Sequence, residues 1–97
     1  MGLNLEIIEE TSVELYEAKK KEFFYEILVR ENVGTYPRWD FSREAREARA
    51  KRKALWEENK QEIEREALEY VMERTPEPFR MLILRKLQGV RRGVIPE

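Results

Sequence analysis

Residues 42–73 read SREAREARAKRKALWEENKQEIEREALEYVME, 32 positions with no proline or glycine and built almost wholly from Ala, Leu, Glu, Lys, Arg and Gln, the strong helix formers. At 1.5 Å per residue this predicts a helix of roughly 48 Å. A compact chain of this size has a radius of gyration of about 13 Å, so the helix is expected to protrude in part from its own domain or to lie against another chain. Asp40 or Ser42 is placed to cap its first turn. Thr75-Pro76-Glu77-Pro78 ends it, because the residue before each proline is pushed out of the helical region.

Outward from this element, Thr11 with Glu14 has the spacing of a capping box and predicts a helix over about 12–32. Tyr16, Phe23 and Ile27, with Phe24 and Leu28, form its apolar stripe, and Gly34 suits the left-handed residue past its end. Phe23, Phe24 and Tyr25 in a row cannot all face one way, so this helix is expected to meet partners on two sides. After the break, Thr75 as cap and Pro76 in the first turn predict a third helix over about 76–88. Its buried row is Phe79, Ile83 and Leu87, and Gly89 follows as its stop. Leu3, Leu5 and Ile7 alternate with Asn4 and Glu6, which reads as a short extended arm over 1–10, with a helical turn as the alternative. Residues 90–97 read as a tail that is flexible or bound in a groove. The expected fold is therefore all-α, one domain over residues 1–97, with three principal helices and a long, partly protruding central one.

Charged residues make up 40% of the 97, yet 19 Lys and Arg nearly cancel 20 Asp and Glu, so any attraction for a polyanion must come from a local patch. With no cysteine there are no disulfides and no thiolate metal sites. The longest apolar run, Met81 to Leu84, is four residues, and the first 17 residues carry five acids and no basic leader. Neither a membrane span nor a signal peptide is readable, and a cytoplasmic protein is expected. Abundant Glu and Arg with only two Gln resembles thermophile composition.

The chain also lacks histidine and has a single Asp, so Ser12, Ser42, Thr11, Thr35 and Thr75 have no base with which to form a triad. Gly89 and Gly93 match neither phosphate-binding glycine pattern. Glu62, Glu66, Glu69 and Glu73 share one helical face and are the only arrangement suited to Mg²⁺. The pair Glu57-Glu58 and the ExxE of Glu66 and Glu69 resembles the helix-borne glutamate clusters of all-α nucleotide pyrophosphohydrolases, without the Asp on a neighbouring helix that would complete the cage. A magnesium-dependent hydrolase is thus the remote alternative. The expectation is no enzyme, with no catalytic residue, metal or cofactor and no small-molecule substrate.

Two basic zones point instead to binding. Arg43, Arg46, Arg49, Lys51, Arg52 and Lys53 form the first, and Arg80, Arg85, Lys86, Arg91 and Arg92 the second, which together would make a phosphate footprint for a nucleic-acid-associated factor. Between the first two helices, Tyr36, Pro37, Arg38 and Trp39 interleave aromatic rings with a cation. Such a loop stacks on unpaired bases or folds back to seal the core, and the second is expected.

The leading expectation is an assembly protein acting through its long helix. Six bases lie between Arg43 and Lys53, and seven glutamates between Glu57 and Glu73, the reverse of what a helix dipole favours. Two copies laid antiparallel would turn this into complementarity, with the two-fold axis near Trp56 and with Ile63, Phe24 and Tyr25 completing the interface of a homodimer or larger assembly.

Overall fold

The computed structural model describes residues 4–96. It is all-helical: α1 spans Leu5–Arg30, α2 Arg43–Arg74 and α3 Arg80–Val90, and no strand occurs among the described residues.

The N-terminal arm is helical from Leu5, because Asn4 caps the helix a full two turns before Thr11. Its Oδ1 accepts from the Glu6 and Ile7 amides at 3.0 and 3.4 Å, and no glycine or proline interrupts the run to Thr11. Residues 1–3 of the expected arm lie outside the described residues. The far end also differs from expectation. Asn32, not Gly34, takes the left-handed conformation, with φ 56°. Val33 N–H then reaches the Leu28 carbonyl at 2.8 Å and Asn32 N–H the Val29 carbonyl at 3.1 Å, which is the paired closure of a Schellman motif. Val33 packs beside Ile27 and Leu28, the apolar contact that accompanies this ending.

Ser42 caps α2 as expected, its Oγ accepting from the Ala45 amide at 3.2 Å. Asp40 in turn accepts from the Ser42 amide at 3.0 Å. At the other end Thr75 Oγ1 donates to the Val71 carbonyl at 2.8 Å. Helix α3 begins four residues later than expected, since Pro78 keeps Glu77 out of helical conformation, and residues 77–79 form a turn. Gly89 lies inside α3 rather than beyond it.

Helices α1 and α2 run antiparallel, since Tyr16 packs with Ala67 and Val71 whereas Phe24 meets Trp56. The molecule measures 56 × 24 × 20 Å with a radius of gyration of 16.0 Å, longer than a compact chain of this size. Helix α2 does not protrude alone, because α1 accompanies it and even its alanine-rich start buries Ala45 completely.

Two cores divide the seam. In one, Ile83 and Leu87 of α3 join Tyr16, Ala67 and Val71. In the other, Phe24, Ile27 and Leu28 close on Trp56 and Ile63, the Phe24 and Trp56 rings meeting edge to face at 5.3 Å. Between them lie buried polar groups. Lys20 reaches the Glu17 carboxylate at 3.5 Å and stacks over Tyr16 at 4.8 Å, while Glu64 sits opposite on α2. The interface expected at Trp56, Phe24 and Ile63 therefore has no surface to occupy. All three are enclosed by their own chain, because Trp56, Ile63, Ala67 and Val71 form one continuous apolar stripe of α2.

Trp56→Ala should accordingly lower folding stability by about 3–5 kcal/mol, a core cavity cost, measured by urea unfolding. A loss under 1 kcal/mol would contradict this packing. Tyr16 supplies a second test. Its hydroxyl is enclosed with no hydrogen-bond partner among the described residues, and desolvation, then the nearby Glu64 carboxylate, push its pKa above the usual 10.0, with Arg91 opposing. Below pH 10 the hydroxyl is neutral whether the chain is folded or not. Above it the unfolded chain ionises first, and stability falls. Tyr16→Phe should cost no more than about 1 kcal/mol at pH 7 and should flatten the alkaline loss seen in the parent protein.

Candidate functional site

Helix α3 is 11 residues long, roughly 16 Å, and covers only the C-terminal half of the α1–α2 seam. Beyond Val90 the chain continues along α2 without helical structure. Gly93 lies so close to Lys60 that a Cβ there would sit 3.1 Å from Nζ, and the Pro96 carbonyl accepts from Arg52 Nη2 at 3.3 Å. The tail thus returns over the second core and places Ile95 against it. Because a thin strand of chain replaces a helix here, the seam is left open as a groove of about 920 Å³.

Helix α1 lines the groove with Ala18, Lys21, Glu22, Tyr25 and Leu28, residues of one helical face, with Phe24 below. The connecting loop adds Thr35, Tyr36 and Arg38, α2 adds Arg49, Arg52 and Lys53, and the tail adds Ile95 and Pro96. Five cations therefore face a single acid, and Glu22 is already held by Lys19 at 2.9 Å. Apolar atoms form the floor and charges the rim. Among the described residues no carboxylate forms an ion pair with Lys21, Arg49, Arg52 or Lys53. Arg49 Nη1 donates to the Pro37 carbonyl at 3.5 Å, and Arg52 Nε is enclosed with no partner among the described residues. Asp40 is held below its usual value of 3.8 mainly by the Ser42 amide and hydroxyl, with Arg49 adding to the effect. It stays ionised at neutral pH and anchors the loop to the start of α2.

The aromatic loop does not fold back over the core. Trp39 is 77% and Phe41 78% exposed, and Tyr36 stands at the groove with 38% of its surface open. Tyr25, expected at an interface, is 60% exposed on the opposite wall.

Of the first basic zone, Arg49, Arg52 and Lys53 reach the groove. Arg43 turns to Glu47 at 2.9 Å, Lys51 to the Glu31 carbonyl at 3.3 Å, and Arg46 is exposed outside the lining. None of the second zone lines it. Arg80 is tied at the far end of α2 to Glu77 at 2.8 Å and to the Thr75 carbonyl at 3.0 Å, Arg85 and Lys86 are exposed on α3, and Arg91 and Arg92 open the tail. The two zones thus do not join in one groove. Lys21 was not among the expected site residues; Tyr36 and Arg38 were expected there only under the loop's alternative of stacking on bases, and Ile95 and Pro96 only as part of a tail that is flexible or bound in a groove. The spacing of Ala18, Lys21, Tyr25 and Leu28 on α1 was the signal available for part of this set.

Glu62, Glu66, Glu69 and Glu73 are all exposed, and among the described residues no three carboxylates converge to hold a metal ion. No described helix is long and apolar enough to cross a membrane. No family model, curated protein or solved structure matches the chain.

The wall made by the tail rests on Arg52. Arg52→Ala should raise the backbone mobility of residues 93–96, read as lower ¹⁵N order parameters, while leaving helicity unchanged. Unaltered order parameters there would mean that the tail is held by Ile95 packing alone.

Proposed function

We propose that this chain is a non-enzymatic binding protein whose site is the basic groove, and that its partner is a nucleic acid. The observation that carries this reading is the cluster Lys21, Arg49, Arg52 and Lys53. These cations gather about one concavity with no ion pair to a carboxylate among the described residues, the Asp40 carboxylate acting on Arg49 only at longer range, on a chain whose net charge is −1. A low-dielectric concavity lined by one sign of charge focuses its field and concentrates ligands of the opposite sign. Phosphates suit these donors because guanidinium groups bind their oxygens in pairs and ammonium groups act as point charges.

Self-association through α2 is the second reading. The segregated charges favour it, since Glu57, Glu58, Glu62, Glu66, Glu69 and Glu73 are all exposed and would face the basic half of an antiparallel copy. With Trp56 buried, however, exposed ion pairs supply only about 0.2–1 kcal/mol each. That is too little for a tight dimer, so this mode serves orientation better than affinity.

If the four cations engage phosphates of a single strand, the logarithm of affinity should fall with log salt at a slope of about −3. Arg49→Glu combined with Lys53→Glu should weaken binding at least tenfold, whereas Arg85→Glu with Lys86→Glu on α3 should leave it unchanged. Fluorescence anisotropy of labelled oligonucleotides across a salt series measures both. No retention of any nucleic acid at low salt would end the proposal.

A further inference from the structure

We infer that the groove is built for an unpaired nucleobase, making the ligand a single strand rather than a duplex; this rests on the nucleic-acid reading above and specifies it. The distribution of chemistry across the groove carries the argument. Its floor is Phe24, Leu28 and Ile95, and its cations stand at the rim. Two tyrosines face the opening from different elements, Tyr25 from α1 and Tyr36 from the loop.

A duplex offers the rim its phosphates but the rings no base face, because its bases are stacked inside and only their edges open into the grooves. Neither tyrosine could stack on it. A single strand satisfies both layers at once, its phosphates meeting Arg49, Arg52 and Lys53 while a base lies flat against an aromatic wall. Stacking of this kind tolerates any sequence, since every base has a π-face. A groove of about 920 Å³ falls within the range of about 300–1,000 Å³ that takes a compact organic ligand.

The loop extends the same chemistry beyond the groove. Trp39 and Phe41 are more than three-quarters exposed, on either side of the Asp40 that fixes the loop to α2. Large aromatic side chains normally hide most of their area. Four exposed rings near a cluster of cations are a series of platforms on which successive bases can stack. An acidic amphipathic peptide would also complement a basic rim and an apolar floor. Ile95 and Pro96 would give its side chains an aliphatic wall, but Tyr25 and Tyr36 at the opening and the exposed Trp39 and Phe41 beside it favour a flat base.

The test compares three ligands of equal length on the full chain: a dT12 oligonucleotide, the same strand with abasic sites throughout and equal charge, and the dT12·dA12 duplex, whose two backbones carry twice that charge. Expected is binding to dT12 at least tenfold tighter than to either of the others at the same salt. Tyr25→Leu with Tyr36→Leu should remove most of that preference, with helicity intact by circular dichroism. The double variant should bind the abasic strand as the parent does, which separates lost stacking from a damaged fold. Equal affinity for all three ligands would overturn this inference while leaving phosphate binding in place. No binding to any of them would overturn both readings. An acidic amphipathic helical peptide that displaces dT12 at equal or lower concentration would also overturn it, by assigning the groove to a protein partner.

Discussion

The seam between α1 and α2 is longer than the helix available to cover it, and the rest of the molecule follows from that mismatch. Two antiparallel helices expose apolar faces along their whole contact, and each face must be covered or remain wet. Helix α3 closes the half that contains Tyr16, Ala67 and Val71. The other half is closed from within, by the largest rings the chain can place there: Trp56 is fully buried and meets Phe24 edge to face. What these rings do not fill is left to Ile95 and to the groove. The opening is thus a direct result of the length of α3.

The register of the two long helices is set by the rings rather than by the polar groups between the cores. Lys20 pairs with Glu17 on its own helix, a contact that sliding α1 against α2 would leave intact, and Glu64 keeps one buried oxygen without a hydrogen-bond partner among the described residues. Trp56 against Phe24, and Tyr16 among Ala67 and Val71, fill the seam, and a slip of one turn would leave cavities there. That packing also sets the positions of Lys21 and Tyr25 opposite Arg49, Arg52 and Lys53.

Local signals were legible in the sequence wherever their chemistry was local. Ser42 as cap and Thr75-Pro76 as break set the bounds of α2 to within a residue, since a hydroxyl at a helix start and a proline after a helix end act on neighbours only. Where two local signals competed, the sequence could not rank them. Thr11 and Gly34 were the expected ends of α1, but Asn4 also suits a helix start and Asn32 a left-handed turn; the structure uses the asparagine each time, giving the longer helix and the packed closing residue. Trp56 differs from expectation for another reason. It stands at the boundary of the basic and acidic halves, where charge alone points it outward, whereas its spacing to Ile63, Ala67 and Val71 places it on the buried stripe. The groove was mostly hidden, because it depends on the tail returning along α2, a contact between residues 44 positions apart.

The walls of the groove are fastened by some of the same donors that line it. Arg49 holds the loop through the Pro37 carbonyl and Arg52 holds the tail through the Pro96 carbonyl, both neutral acceptors. A guanidinium carries five N–H donors, and each of these arginines spends one on its carbonyl, so on the proposed reading the remaining donors can meet an anion without loosening the loop or the tail. Fastening and recognition are thus vested in the same side chains, and losing either arginine would cost a wall together with a charge.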